Sequence, residues 1–418
     1  MDRGERVRIL FLDHAFHRKT GSSRFFLDFL KGFSDVTLEF FDPLIADSEI
    51  ERLVALNFTD FDLVVVWQLE ALAFLPISVG ASVLVIPMYD GSGAQPAEHW
   101  AALSDASILN FSYNLHVATR ELMASAKVVQ YFPDPKPFAL AKDFERPRVF
   151  FWHRRGDQLD LETVFRLLPG NFESIHVHIA PDDPDEEVTL PSWASRYGVT
   201  SSRWFDDPKG LSDVIDSCNV AVCPRFSEGI GMFMLEAMAR GMCVIGSSWP
   251  VHNEYIANNI NGMLFDPGSY GALDLSDAER LGTMARKGVE AGRLRWEEDL
   301  KALPAFVAAC ATLKRPPSLT PATALRLVRS YFEDMELYRQ LASGLVAGNP
   351  AMARALKASR GPEDLARAAE RQAMGVARQH LESLREGLGR IPGWRRLRAL
   401  LPSRVKIVLA RLFMAVRR

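Results

Sequence analysis

The sequence lacks a long apolar run and carries little net charge. Its 418 residues include 49 Lys or Arg and 52 Asp or Glu, so the formal net charge is −3. A charge balance this even creates no field that attracts nucleic acid, and we expect no nucleic-acid partner. No apolar stretch reaches the ~20 residues that cross a bilayer. The apolar run Ile9–Leu12 is too short for a signal peptide. We therefore expect a cytoplasmic protein.

Clustered metal ligands are also lacking. The four cysteines stand in apolar surroundings without metal-like spacing and are interpreted as buried, reduced thiols; they are Cys218, Cys223, Cys243 and Cys310. The "DFD" of Asp60–Asp62 precedes its strand, at the wrong end for a ligand. The acidic "PDDPDEE" at 181–187 has no spaced ligands and is interpreted as a solvated loop. We expect neither a cofactor nor a required metal.

What the chain does have is the composition of a soluble globular protein and the length for two domains. Apolar residues make up 48% and charged residues 24%. Apolar runs such as "LVVVW" and "VLVI" alternate with helical segments, a pattern typical of parallel sheets covered on both faces. We predict an α/β fold with two Rossmann-like, doubly wound domains at 1–140 and 148–310. Phe132–Arg148 holds four prolines and is interpreted as the linker. Residues 318–418 form a predicted helical extension.

Two doubly wound domains create a cleft between the carboxyl ends of their strands, where ligands bind. "PRFSEGIGMFMLEAMARGMCVIGS" at 224–247 would lie there, as a strand end, a glycine turn and a helix closed by Gly241. The first amides of that helix favour a phosphate. Glu236, one turn inside, is placed to accept ribose hydroxyls, and Glu228 those of a transferred sugar. The alternative is an ordinary strand–turn–helix with a glutamate that is favourable at any helix start.

This stretch resembles the signature of retaining glycosyltransferases of the GT-B fold, especially family 4. That signature has a Gly-aromatic-Gly turn between two glutamates, the second followed by Ala-Met-Ala. Here Glu228 and Glu236-Ala237-Met238-Ala239 match it, and Gly241, Val244 and Glu254 continue the match within 219–268. The resemblance implies a GT-B fold and a nucleotide-sugar donor. The donor-binding residues that it implies are Gly229, Ile230, Gly231, Met232 and Glu236. Ile230 departs from the usual aromatic residue, which we expect to alter packing more than chemistry.

The basic residues of the predicted phosphate site depart from the family pattern. The family carries an arginine and a lysine five residues apart in the loop after the first strand of the second domain. Arg154 and Arg155 occupy that loop, but the position five further on is Leu159 or Asp160. The diphosphate charge would then fall to the arginines and the helix N-terminus. The alternative is a solvated arginine pair, and the missing lysine puts full activity or the usual donor geometry in question.

The first domain offers weaker candidates. Gly21 stands where the family has a glycine-rich loop near the donor, although Ser22 or Ser23 at that turn would also serve as an ordinary helix N-cap. Asp90, after a strand, would orient an acceptor hydroxyl or simply cap a turn. His14 ends a strand and is expected to face the cleft. His116 is interpreted as an ordinary helix residue.

The final segment, residues 393–418, has eight Arg or Lys and no acid. Val405, Val408, Leu409, Leu412 and Val416 share one helical face, which favours a helix lying on an anionic membrane. The alternative is a basic helix packed on the protein or on a partner. The helical extension is also a candidate oligomerisation element.

The function expected from the resemblance is retaining, metal-independent glycosyl transfer. A sugar would pass from a nucleoside diphosphate to a glycan or lipid-linked acceptor, in surface polysaccharide or glycolipid synthesis, on the inner face of a membrane. One alternative is an epimerase or phosphorylase of the same architecture. A second is a catalytically silent scaffold of a glycan-assembly complex, which the missing lysine and the long helical extension favour.

Overall fold

The computed structural model describes residues 6–333, except 44–45, 94, 96, 169, 171, 183–187 and 206. The predicted membrane-binding segment 393–418 lies outside these residues. Among the described helices, none has the length and apolar character that a membrane crossing requires.

Two parallel six-stranded sheets form the framework. The first has the order β2-β1-β3-β4-β5-β6. Its strands are β1 Val7–His14, β2 Ser34–Phe41, β3 Leu63–Trp67, β4 Val83–Ile86, β5 Ser107–Asn110 and β6 Ser125–Val128. The second has the order β12-β11-β10-β7-β8-β9. Its strands are β7 Arg148–His153, β8 Ser174–Ile179, β9 Val199–Ser202, β10 Val220–Val222, β11 Cys243–Ser247 and β12 Met263–Phe265. Two doubly wound sheets confirm the predicted fold class.

Helices connect and cover the strands. The short ones of four or five residues are α1 His17–Thr20, α4 Phe74–Ser78, α5 Tyr89–Ser92 and α11 His252–Tyr255. Those of six to nine residues are α2 Arg24–Lys31, α3 Ala46–Val54, α6 Ala97–Ala102, α7 Tyr113–Thr119, α8 Leu161–Leu167, α9 Pro208–Asp216 and α10 Met232–Ala239. The longest is α12 Ala278–Thr312, with 35 residues.

The strand sequences explain where each strand lies. All residues of β3, β4, β10 and β11 are buried, as their apolar runs predict for inner strands covered by helices on both faces. Strand β2, "SDVTLEFF", lies at the edge of its sheet and alternates buried, half-buried and exposed positions. All four cysteines are buried and free, as expected.

The chain returns to the first sheet after the second is complete. In α12, the Trp296 ring lies 6.2 Å from the ring of Phe111, next to β5. Further along, the Ser82 hydroxyl donates to the carbonyl of Ala311 at 3.1 Å. Residues 321–333 are also helical, and Phe332 is buried in the core of the first sheet. The described part of the predicted extension is therefore helical, while the domain limits 1–140 and 148–310 stay predictions.

Candidate functional site

The strand order of the second sheet marks one edge as the place for a ligand. The chain runs outward in opposite directions from β7 and β10, which are neighbours. In doubly wound folds, ligands bind outside the carboxyl ends of the strands at this switch point. The segment after β7 begins with Arg154 and Arg155, and the segment after β10 carries Glu228. The sequence-predicted residues of both loops therefore lie at one edge.

The glycine turn leaves the start of α10 without a cap. Gly231 has φ +77°, a left-handed conformation that glycine adopts without strain, and it gives no side chain to cap the helix. The first helical amide bond is from Leu235 to the Gly231 carbonyl, at 3.0 Å. In the described part of the chain, no group accepts a hydrogen bond from the amides of Met232, Phe233 and Met234. These amides remain available to an anion.

The remaining residues of the turn pack into the protein. Ile230 is 6% exposed and belongs to the hydrophobic core, in agreement with a packing role. Gly229 lies against the first sheet: a Cβ added there would come within 2.9 Å of the Met88 Cβ and Sδ atoms, just after β4. The helix closes as predicted, since Gly241 follows it with φ +68°. The turn is therefore held in place by both sheets.

The two glutamates have different surroundings. Glu228 is half-buried, and burial raises the pKa of its carboxyl, although the nearby Arg225 and Arg154 act to lower it. Burial also raises the pKa of Glu236, which lies 3.9 Å from the Arg240 guanidinium. Burial and the Glu236 charge together raise the pKa of Tyr131 to about 12. One carboxylate thus belongs to a charged cluster and the other to the neighbourhood of a tyrosine.

The charged cluster beside Glu228 contains two residues that sequence reasoning missed. The Arg225 Nη1 donates to the Asp90 Oδ2 at 2.7 Å, and its Nη2 donates to Asp182. The Arg154 Nε donates to the other oxygen of Asp182 at 2.6 Å. Burial acts to raise the pKa of Asp182, but the two guanidinium groups outweigh it and hold that pKa below its ordinary value. This cluster, Arg154–Asp182–Arg225–Asp90, joins the two sheets.

The position of Asp182 shows that one interpretation of the sequence was wrong. This residue belongs to the acidic stretch 181–187, which we expected to be a solvated loop. Its side chain is 24% exposed and binds two arginines. Their positions in the sequence could have identified both residues as candidates. Asp182 follows β8 and Arg225 follows β10, at the same carboxyl edge as the predicted site.

The other predicted residues lie at or near this edge. Arg155 is bound within its own loop, by two hydrogen bonds of 2.9 and 2.8 Å to Asp157. Gly21 ends α1 with φ +66°, and Ser23 precedes α2 without capping it, because its hydroxyl donates to Asp13. His14 ends β1, and burial lowers its pKa to about 4.

His116 and Asp62 were not expected to belong to the predicted site. His116 lies on α7, as expected of an ordinary helix residue. Asp62 precedes β3 and binds the Arg8 guanidinium at 2.9 Å. Within the described residues, no group of three or more His, Cys, Asp or Glu is arranged to hold a metal.

Further contacts between the sheets surround this edge. The Glu254 carboxylate, on α11, accepts the amide of Tyr113 at 2.7 Å and the Ser112 hydroxyl at 2.6 Å, at the start of α7. The Lys19 ammonium, on α1, lies 4.2 Å from the centre of the Trp204 ring. Loops from the carboxyl ends of both sheets therefore meet around the turn that carries Glu228.

Comparison with known proteins agrees with this geometry. Residues 136–277 match the model of the family described as glycosyl transferases group 1. All of 219–268, where the resemblance is densest, falls inside the match, and the resemblance is confirmed. No curated protein sequence matches this chain.

Among solved structures, sucrose-phosphate synthase from Thermosynechococcus elongatus is 15% identical and has a TM-score of 0.53. That match covers 73% of this chain and 99% of the synthase. The lipopolysaccharide outer core galactosyltransferase WaaB, apo form, is 14% identical, with a TM-score of 0.45 and coverage of 79% and 99%. Anabaena HepE in complex with UDP and glucose is 12% identical, with a TM-score of 0.43 and coverage of 82% and 100%. The likeness to the synthase confirms the GT-B fold.

Proposed function

Since residues 136–277 match the model of the glycosyl transferases group 1, we propose that this chain is a retaining glycosyltransferase. It moves a sugar from a nucleoside-diphosphate sugar to a glycan or lipid-linked acceptor, in surface polysaccharide or glycolipid synthesis. One observation carries the proposal: the uncapped amides of Met232 and Phe233 lie between two glutamates, at the switch point of the second sheet.

The helix N-terminus supplies the stabilisation that the reaction needs. As the glycosidic bond breaks, negative charge develops on the departing diphosphate. Preoriented amides at Met232 and Phe233 stabilise that charge without reorganising, and Arg154 and Arg155 add to the effect. We propose that these amides and arginines stabilise the leaving group without a metal ion.

Each glutamate holds one end of the donor. Glu236 accepts the ribose hydroxyls, and Glu228 accepts hydroxyls of the transferred sugar, so the donor lies along the turn with its diphosphate at the helix start. Gly21, in the loop after β1, would approach the donor from the first sheet. Asp90 orients the acceptor hydroxyl from that same side. We assign no residue as a covalent nucleophile.

Closure of the cleft would protect the donor from water. Contacts of Met88 with Gly229 and of Ser112 with Glu254 are two of those that join the two sheets at this edge. A site closed in this way excludes water and limits hydrolysis of the donor.

Thermal unfolding with a panel of nucleoside diphosphates and their sugars tests the proposal. A donor at many times its dissociation constant stabilises the fold by ~2–4 kcal/mol. Glu236→Ala should reduce this shift for diphosphate and sugar nucleotide alike, because it removes the ribose contact. Glu228→Ala should reduce it only for the sugar nucleotide. The control is Glu162→Ala, an exposed glutamate on α8.

Activity assays with the same sugar nucleotides, an acceptor extract and EDTA in the buffer test which reaction the protein catalyses. We expect sugar transfer with retention of anomeric configuration and undiminished rate. The proposal fails if no member of the panel stabilises the protein, or if Glu228→Ala and Glu236→Ala both leave turnover unchanged. Conversion of the donor without an acceptor would indicate an epimerase.

A silent scaffold is the second candidate, and one observation favours it. Arg154 and Arg155 both bind aspartates, and the family's lysine is absent, so the cations for a diphosphate are occupied. A scaffold would bind glycan-assembly partners, and the helical extension would supply the contact. It predicts normal glycan output in cells whose protein carries Glu228→Ala and Glu236→Ala.

The location of the protein is also a proposal. We propose a cytoplasmic protein whose residues 393–418 bind an anionic membrane surface and so bring the site to a lipid-linked acceptor. Co-sedimentation with vesicles of phosphatidylglycerol, but not of phosphatidylcholine, is expected of the full chain and not of a chain ending at residue 392. Light scattering of the two chains would show whether the extension drives oligomerisation.

A further inference from the structure

Leu159 and Asp160 occupy the two positions, in the loop after β7, at which the family would have its lysine. Leu159 is fully buried, and the Asp160 carboxylate accepts the amide of Thr163 at 2.8 Å, at the start of α8. The two positions that would hold the lysine therefore serve packing and helix capping. Neither position supplies a cation.

A cation from a different loop stands beside Arg154. The side chain of Arg225, which follows β10, is only 13% exposed and shares the Asp182 carboxylate with Arg154. Its Nε is buried and has no hydrogen-bond partner in the described part of the chain. Arg225 lies three residues before Glu228, so it approaches the site from the β10 side while Arg154 approaches from the β7 side.

We propose that Arg225 is a donor-binding residue that takes the place of the missing lysine. Together with Arg154 it binds the diphosphate, and phosphate oxygens replace the carboxylates of Asp182 and Asp90. The inference rests on the proposed function and names the residue that completes its phosphate site.

Charge balance requires such an exchange. Two arginines face two aspartates in the Arg154–Asp182–Arg225–Asp90 cluster, which leaves it without net positive charge before Glu228 is counted. A diphosphate that simply added to this cluster would meet three carboxylates. If it replaces Asp182 instead, both guanidinium groups keep an anionic partner, and the planar arginine fork suits phosphate as well as carboxylate.

The exchange would also release Asp90. Asp90 comes from the first sheet and Arg225 from the second, so the donor diphosphate removes one charged contact between them. One oxygen of Asp90, Oδ1, is already buried without a partner in the described residues. Once Arg225 turns to phosphate, the whole carboxylate is available to an acceptor hydroxyl. Donor binding thus prepares the acceptor side.

Binding measurements with matched ligands test the assignment. The probes are UDP, ADP, GDP, CDP and dTDP, and each is compared with its nucleoside. The variants are then measured with the diphosphate that binds the unaltered protein and with the corresponding nucleoside. Arg225→Gln should weaken diphosphate binding by about 10- to 100-fold, because it removes charge-assisted hydrogen bonds. The affinity for the nucleoside should change by less than about 2-fold. The diphosphate affinity of Arg225→Lys should lie between those of the unaltered protein and Arg225→Gln. The control is Arg166→Gln, which removes an exposed arginine on α8.

Asp182→Asn gives a prediction of opposite sign. It removes the carboxylate that competes with phosphate, so the diphosphate should bind several-fold more tightly while the nucleoside is unaffected. Because Asp182 also binds Arg154, Asp90→Asn is measured beside it, since the Asp90 carboxylate binds Arg225. Asp90→Asn should also tighten diphosphate binding if Arg225 binds the donor, and should leave that affinity unchanged or lower it if Arg225 only joins the two sheets. These two variants keep the inference testable even if Arg225→Gln does not fold.

The outcomes separate the two claims. If no diphosphate in the panel binds the unaltered protein, the proposed function fails and the inference fails with it. If a diphosphate binds more tightly than its nucleoside, but Arg225→Gln and Asp182→Asn leave that preference unchanged, the inference alone is overturned.

Discussion

At the scale of single residues, the charged groups beside Glu228 set one another's ionisation. Asp182 lies between Arg154 and Arg225, which hold its pKa below the ordinary value, while burial raises the pKa of Glu228, which interacts electrostatically with Asp182. Neighbours of opposite charge and loss of water act in opposite directions on similar carboxyl groups. The cluster therefore keeps Asp182 ionised as a partner for arginine, and it leaves Glu228 the more easily protonated of the two.

Glu70 is a buried acid next to this cluster. It is 4% exposed, follows β3, and accepts a hydrogen bond from Ser92, two residues after Asp90. Burial raises the pKa of Glu70 to about 7, although the Ser92 hydroxyl acts to lower it. The folded protein thus holds this proton more tightly than the unfolded chain does.

Glu70→Gln should therefore change how stability depends on pH. A raised carboxyl pKa contributes stability below the unfolded value of 4.5, and that contribution is lost as the pH rises to about 7. Relative to Glu70→Gln, the unaltered protein should lose roughly 1–3 kcal/mol between pH 5 and pH 8. Unfolding by urea at the two values measures this, with Glu298→Gln as the exposed control. An equal pH dependence in both proteins would contradict the assignment.

At the scale of elements, the glycine turn before α10 is shaped by what it touches. Gly231 supplies the left-handed conformation, and Gly229 lets the turn approach Met88 of the other sheet. The amides of α10 then face the edge where the loops of the two sheets meet. The element works as an anion site because of its position as well as its composition.

Gly229→Ala should disturb this contact. Its Cβ would lie 2.9 Å from the Met88 Cβ, so the turn or the end of β4 must shift. We expect a loss of about 1–3 kcal/mol in stability and weaker diphosphate binding. Gly271→Ala is the matched control, because an added Cβ there meets nothing within 4 Å. Thermal unfolding and titration measure the two effects. If the two variants behaved alike, the turn would not depend on this approach.

Much of the element order could be predicted from the sequence. Continuous apolar runs identify β3, β4 and β10, since inner parallel strands are buried on both faces. Strand β2 was not predicted, because this edge strand exposes Asp35 and Thr37 and so has no continuous apolar run. Strand β12 was not predicted either, because Gly262 and Asp266 limit its apolar run to three residues, whereas Cys223 extends the run of β10.

The candidate site could be predicted where its residues form a local motif or follow a predicted strand, as Arg154 and Asp90 do. Glu228, the glycines and Glu236 form one local motif, which the family resemblance identifies. Asp90, Asp182 and Arg225 are brought together by the fold across 135 residues of sequence. No local pattern links them, so Arg225 and Asp182 emerged only from the contacts.

At the scale of the molecule, two sheets of different strand order meet near the carboxyl ends of their strands. Charged and polar contacts join them there, including Arg225 with Asp90 and Glu254 with the start of α7. The helix α12 then returns to the first sheet through Trp296. The two sheets are thereby connected both at the site and by the chain.

Buried histidines should make the whole fold sensitive to mild acid. Burial lowers the pKa of four of them to about 4; they are His14, His99, His178 and His252. In the unfolded chain they would take a proton near 6.5, so their stability contribution is present above that value and is lost as the pH falls towards 4. We expect stability to decline over this range.

His252→Asn tests one member of this set. His252 is fully buried, and its Nδ1 accepts the amide of Ser247 at 3.3 Å, a bond that asparagine can imitate. The unaltered protein should lose up to roughly 3 kcal/mol more than the variant between pH 7 and pH 4.5. Urea unfolding across that range measures the difference, with pH 7.5 as the reference at which His252 is neutral. Parallel curves for the two proteins would show that His252 does not resist protonation.

The central claim is that an anionic leaving group binds the uncapped start of α10. A crystal structure with the nucleoside diphosphate that stabilises the protein most tests it directly. We predict phosphate oxygens within hydrogen-bond distance of the Met232 and Phe233 amides, and ribose hydroxyls on Glu236. A diphosphate bound elsewhere, or a ribose turned away from Glu236, would contradict the account.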